Sequence, residues 1–130
     1  YLVSAAGKGA NLLLNVGPQP NGELPAAAVE RLKAIGEWMS VYGATIYGTE
    51  AGDVRQQEWG CTTRSGDLLY VHIFENGAEE LAVPIECDVV EAYDFVNQQP
   101  IAFERTEQGV VLKTGVVKDV IDYVVVLKTR

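Results

Sequence analysis

A single histidine, two cysteines and a shortage of basic side chains set the first limits on this 130-residue chain. One histidine cannot build a metal cluster. Cys61 and Cys87 have no further cysteine at the close spacing of a zinc site, so neither a metal nor a cofactor is expected. The two cysteines permit one disulfide without requiring it, and two free thiols in strands are the plainer reading. Lysine and arginine number 10 against 18 aspartates and glutamates, a formal net charge of −8. That balance lacks the basic face a nucleic-acid partner needs. The acids are scattered, as on a solubilising surface, rather than gathered into a tail. No apolar run reaches the roughly 18 residues of a membrane span. A start methionine and a charged-then-apolar leader are missing too, since Tyr1 opens directly into the helix-like YLVSAAGKG. We therefore expect a piece of a longer protein, with any signal peptide upstream.

What is present suffices for a core: 48% of residues are hydrophobic and 22% charged. Leu2–Ala6 reads as the end of a helix stopped by Gly7 and Gly9. Leu12–Val16 is an unbroken apolar run bounded by Asn11 and Gly17–Pro18, which suits a strand buried on both faces of a parallel sheet. The turn-rich GPQPNGELP follows, with Asn21–Gly22 its strongest pair. A helix is predicted from about Pro25 to Tyr42, where Val29, Leu32, Ile35, Met39 and Tyr42 form one apolar stripe. Pro25 suits its first turn and Gly43 its C-terminal stop.

Beyond Tyr47 the period changes. Trp59–Thr63, Asp67–Glu75, Glu80–Ile85, Val89–Val96, Ile101–Thr106, Val110–Thr114 and Val120–Leu127 read as seven short strands. Arg64–Ser65–Gly66 and Gln108–Gly109 mark turns, and Glu75–Asn76–Gly77 reads as a hairpin. The fold class is mainly β: an antiparallel β-sandwich over residues 50–130. Before it, residues 1–49 form a remnant β/α unit of one strand and one helix from a (β/α)8-like barrel.

Few residues invite a catalytic reading. His72 lies in a strand on the face of Tyr70 and Phe74, and packing or hydrogen bonding explains it more simply than general-base chemistry. Glycoside hydrolysis needs two carboxylates roughly 5 to 9.5 Å apart. Glu86, Asp88, Glu91 and Asp94 cluster in sequence, but even spacing along a strand is weak evidence for a pair. Asn15 falls at the C-terminal end of the barrel-type strand, where barrels of this kind place their sites. It is the one candidate for the rim of a substrate pocket, the alternative being an Asx turn that braces the loop. Trp38, Tyr42 and Tyr47 are expected to pack between helix and sandwich. Exposed rings at Trp59 or Tyr93 would instead suggest a carbohydrate-binding module.

Several motifs carry a family resemblance. They are Asn11–Pro18 (NLLLNVGP), Asn21–Leu24 (NGEL), Glu30–Leu32 with Ile35–Trp38, and Ile46–Thr49 (IYGT). Trp59–Gly60, Leu69–Ile73, Thr106–Gly109 and Asp122–Leu127 follow in order. Together they resemble the C-terminal region of the α-L-fucosidases of glycoside hydrolase family 29. The resemblance implies a parent enzyme that removes terminal α-L-fucose from glycans with retention. In that family an aspartate nucleophile and an acid/base carboxylate lie in barrel segments upstream. No position here matches the motif of either, so no catalytic residue is assigned and the chain alone is expected to be inactive. The implied partners are the missing barrel of the same protein and, through the parent, fucosylated glycans. The implied location is secreted, periplasmic or lysosomal.

Overall fold

A computed structural model describes residues 1–130. A short helix α1 (Leu2–Gly7) is followed by an extended segment and by helix α2 (Ala26–Tyr42), which runs into a single 3₁₀ turn at Gly43–Thr45. Eight strands complete the chain: β1 (Glu50–Ala51), β2 (Gly60–Ser65), β3 (Leu68–Ile73), β4 (Leu81–Val83), β5 (Val89–Asp94), β6 (Phe103–Thr106), β7 (Gly109–Leu112) and β8 (Tyr123–Thr129). They form two antiparallel sheets, ordered β1-β2-β3-β8-β5 and β4-β7-β6. The predicted sandwich is there, with β1 as an additional short edge strand.

The core follows from alternation along the strands. Leu69, Val71 and Ile73 of β3 and Val125 and Leu127 of β8 point inward. They meet Leu81 and Val83 of β4 and Val110 and Leu112 of β7. The opposite face of the larger sheet carries Tyr70, Val124 and Val126, with Tyr42, Tyr93 and Phe95 packed on them. It also carries Cys61, Thr63 and His72, and the residues before the sandwich lie over this face. Gly7 of α1 sits directly against Cys61, so close that a Cβ at Gly7 would come within 2.8 Å of the sulfur.

Three expectations about the backbone are corrected. Leu12–Val16 forms no strand: none of its backbone groups is hydrogen-bonded, and Leu13 is 94% exposed. A strand is defined by its partners, and this chain offers none beside it. The turn at Glu75–Gly77 does not close a hairpin. β3 pairs with β2 and β8, whereas β4 pairs with β7, so the connection carries the chain from one sheet to the other. Asn76 fixes that crossing through its bridge to Val117 and through amide bonds to the carbonyls of Ala78 and Glu80. Finally, Gly43 does not adopt the left-handed cap conformation. Its φ is −53°, and the chain continues into the 3₁₀ turn until Gly48 at φ +69°.

Helix α2 spans the predicted residues, but its apolar stripe is not docked: no residue of it is buried, and Leu32 is 38% exposed. Only its last turns reach the sandwich, through a ladder of rings. Trp38 stacks on Tyr42 (centroids 5.0 Å apart), Tyr42 on Phe95 (5.6 Å), and Phe95 meets Tyr70 edge-on (6.0 Å). Trp38 and Tyr42 thus pack between helix and sandwich, whereas Tyr47 is exposed.

Candidate functional site

A deeply buried polar network is built on His72. It sits mid-strand in β3, fully buried. Its Nδ1 lies 2.7 Å from Oδ2 of Asp122, just before β8, and its Nε2 lies 3.1 Å from the Thr63 hydroxyl on β2. Thr63 Oγ1 in turn donates to the carbonyl of Thr45 at 2.7 Å. A hydroxyl has one proton and a carbonyl can only accept, so Thr63 must accept from Nε2–H. The pair therefore holds a single proton between Nδ1 and the Asp122 carboxyl. Burial raises the Asp122 carboxyl above the usual carboxylate range, and the bond from His72 pulls the other way. Asp122 Oδ1 is buried with no partner, and so is the indole Nε1 of Trp38. Both residues line one groove of about 590 Å³ between α1, α2 and the sheet.

His72 is thus a hydrogen-bonded strand histidine: the Thr63 hydroxyl beside it gives its proton to the Thr45 carbonyl, the Cys61 thiol opposite it in β2 is turned to the Val3 carbonyl, and no set of metal-ligating side chains surrounds it. Sequence reasoning missed its partners Thr63 and Asp122. The available signal was an acid at the head of the valine-rich last strand, an unfavourable place unless paired.

The acidic cluster does not converge. Asp88 and Asp94 flank and end β5, so six residues of extended chain hold them roughly 20 Å apart, beyond the range of a glycosidase pair. Asp88 pairs with Arg105 at 3.2 Å. Asp94 caps the turn after β5, accepting from the backbone of Val96 and Asn97. Glu86 and Asp88 border one shallow groove, where both are exposed, and Glu91 is exposed too. Asn15 is exposed and its side chain makes no hydrogen bond, so the Asx-turn alternative is not what the chain adopts. Trp59 and Tyr93 are half-buried, packed on the inner and outer faces of the larger sheet, and present no stacking platform.

Both cysteines are free thiols. Cys61 is buried against α1, and burial pushes its thiol up to about 11. Cys87 is half-buried at a second polar cluster. There Arg64 grips Asp53 with two bonds of 2.6 and 2.7 Å and also reaches Thr129 and Cys87. The arginine holds the Asp53 carboxyl below its usual range.

With this geometry in hand, the likeness to known proteins is specific. The family model for α-L-fucosidase matches residues 1–44. An α-L-fucosidase of Dictyostelium discoideum is 34% identical over 97 residues, which cover 70% of this chain and 21% of that protein. The tissue α-L-fucosidase of Bos taurus is 39% identical over 114 residues, 83% of this chain and 24% of the relative. Among solved structures, α-L-fucosidase isoenzyme 1 of Paenibacillus thiaminolyticus superposes over 99% of this chain and 33% of its own, with a TM-score of 0.85 and 29% identity. A family 29 α-L-fucosidase of Bacteroides thetaiotaomicron gives 0.86 at 28% identity, over 99% and 30%. The chain thus spans about a fifth of the curated relatives it matches and about a third of the solved ones. It belongs to the α-L-fucosidase family of glycoside hydrolases, family 29, and corresponds to the C-terminal region of its members.

Proposed function

We propose that the protein carrying this chain is a retaining α-L-fucosidase that releases terminal α-L-fucose from oligosaccharides or glycoconjugates. In this reading the 130 residues are its structural C-terminal portion. The observation that carries it is the match to fucosidase structures over 99% of the chain, helices and sandwich alike. The nucleophile and the acid/base carboxylate then lie outside these residues. The dispersal of Asp88 and Asp94 and the engagement of His72 by Asp122 and Thr63 support that division of labour.

Residues 1–49 are the last β/α unit of the catalytic barrel, and residues 50–130 the sandwich that braces it. Asn15, exposed and unbonded beside the loop after the barrel-type strand, borders the substrate pocket. No helix is long and apolar enough to cross a membrane. The family resemblance favours a secreted, periplasmic or lysosomal enzyme, with fucosylated glycans reached through the barrel.

Hydrolysis of an aryl α-L-fucoside by this chain, beside a form extended upstream through the barrel, tests the reading. The extended form should turn over and the 130 residues should be silent. Turnover by the chain alone would place a catalytic pair within it and refute the proposal.

A further inference from the structure

We infer that the hydrogen bonds running from Asp122 through His72 and Thr63 to Thr45 form a proton-sensing joint inside the chain. Holding its shared proton, the joint ties the end of α2 to the sandwich; without that proton the tie loses a bond. Such a joint goes beyond the proposed function and operates whatever reaction the parent performs.

Three bonds stand in series. Asp122 Oδ2 lies 2.7 Å from His72 Nδ1, His72 Nε2 lies 3.1 Å from Thr63 Oγ1, and Thr63 Oγ1 lies 2.7 Å from the carbonyl oxygen of Thr45. Thr45 closes the series on the helix: its own hydroxyl donates to the carbonyl of Tyr42, the last residue of α2, at 2.7 Å. Thr45, Thr63 and His72 are fully buried, so water does not replace a bond that is lost.

The number of protons decides the state of the series. Thr63 has one hydroxyl proton, and a carbonyl only accepts. All three bonds therefore coexist only while Nε2–H points at Thr63 and a further proton lies between Nδ1 and Asp122. Once the pair gives that proton up, the ring keeps one. Kept at Nε2, it leaves the Nδ1 lone pair facing a carboxylate oxygen in a buried site, the costlier arrangement. Kept at Nδ1, it makes Nε2 an acceptor, and the single Thr63 proton can no longer serve both neighbours. The imidazole nitrogen is the more basic of the two, so the hydroxyl turns to it and the Thr45 carbonyl is left unbonded. Burial raises the Asp122 carboxyl, with the bond from His72 opposing, so the carboxyl itself helps to retain the proton. The state with more bonds is the protonated one. The joint is thus closed in acid and opens as pH rises through the titration of the pair.

The groups packed around the pair do not take over that titration. From β2, Cys61 has its thiol pushed up to about 11 by burial and then by the Asp122 charge. From α2 come Tyr42, raised by burial and then by Asp122 and Asp94, and Arg31, which lines the groove beside Asp122. Tyr70 on β3 and Tyr123 on β8 are raised by burial as well. Lys8 and the amino group of Tyr1, at the two ends of α1, act on Cys61. The thiol and the phenols stay protonated where the pair exchanges its proton.

NMR of the full 130-residue chain, followed from about pH 4 to pH 9, tests the joint. His72 is the only histidine, so its ring signals need no assignment by mutation. The ring and the Thr45 carbonyl carbon should titrate together with one midpoint, the carbonyl moving upfield as its hydrogen bond is lost. Thr63→Ser retains the hydroxyl and should retain the coupling. In Thr63→Val the ring should still titrate, while the Thr45 carbonyl stays at its upfield, unbonded position throughout. A Thr45 carbonyl in the unsubstituted chain that ignores the titration of the ring would overturn the inference. So would a ring that keeps one protonation state across the range, or coupling that persists in Thr63→Val. The deciding comparison is made in the unsubstituted chain, so it stands even if Thr63→Val does not fold.

Discussion

Replacing His72 with leucine should cost far more than the volume of the ring suggests. The imidazole is fully buried, the Asp122 side chain is 1% exposed, and 2.7 Å separates Nδ1 from Oδ2. Removing the histidine leaves Asp122 with both oxygens unpaired, because Oδ1 has no partner to begin with. Breaking a buried pair by deleting one member costs about 3–5 kcal/mol, whereas replacing both members with apolar groups of similar size is often close to neutral. A double-mutant cycle of His72→Leu and Asp122→Leu, read by urea unfolding, should therefore show strong non-additivity. The two single costs should sum to at least about 2 kcal/mol more than the double. The pH dependence gives an independent sign. Burial already raises the Asp122 carboxyl, and without His72 nothing offsets that rise. A group whose folded pKa lies above its unfolded value contributes stability below the unfolded value and loses it as pH rises through the folded one. The His72→Leu protein should thus be relatively most stable near pH 4 and weaken toward neutrality, while His72→Leu/Asp122→Leu should lack that decline. Additive single costs, or a His72→Leu protein indifferent to pH, would refute the account of a proton held between the two side chains.

Other consequences are simpler to read. Leu127→Ala, at a fully buried core position, should cost about 2–5 kcal/mol in denaturant unfolding. Leu32→Ala in the isolated chain should cost under about 1 kcal/mol, because Leu32 is already 38% exposed. Asp53→Asn should flatten the acid limb of the stability curve: the arginine depresses the Asp53 carboxyl, so its contribution is present above pH 4 and lost as pH falls further. Mass spectrometry after brief alkylation of the native chain should find Cys87 labelled and Cys61 spared, with both labelled after unfolding. Gly109→Ala should destabilise markedly by calorimetry, since φ is +147° and a Cβ there would collide with the carbonyl of Val83.

The sandwich was legible in the sequence because its strands carry both signals a strand needs. Leu69, Val71 and Ile73 alternate with Tyr70 and His72, and Gly66 and Gly109 sit where the chain must turn. Strand pairing was not legible. Glu75–Asn76–Gly77 has hairpin composition, but whether the next strand returns to its own sheet depends on which hydrophobic face it completes. Leu81 and Val83 complete the other sheet, against Val110 and Leu112. The candidate polar residues divide for the same reason. His72 could be singled out by its rarity, whereas its partners come from β2 and from the head of β8, 9 and 50 residues away in sequence, and only the sheet order β2-β3-β8 joins them.

The first 49 residues show why pattern and structure can both be sound and still differ. Leu12–Val16 has the composition of a strand buried on two faces, and α2 has the stripe of a helix packed on a sheet, yet the one is unpaired and the other uncovered. Composition records the environment in which a segment is selected, whereas pairing depends on which chain lies beside it. Three leucines in water and a helix without a buried residue are unfavourable on any hydrophobic scale. The ring ladder Trp38–Tyr42–Phe95–Tyr70 is the one attachment of α2 that survives without neighbours, because it lies on the sandwich itself. The remaining apolar surface of residues 1–49 is therefore best explained as one side of an interface. Its orphaned donor at Trp38 and acceptor at Asp122 are the polar half of the same deficit.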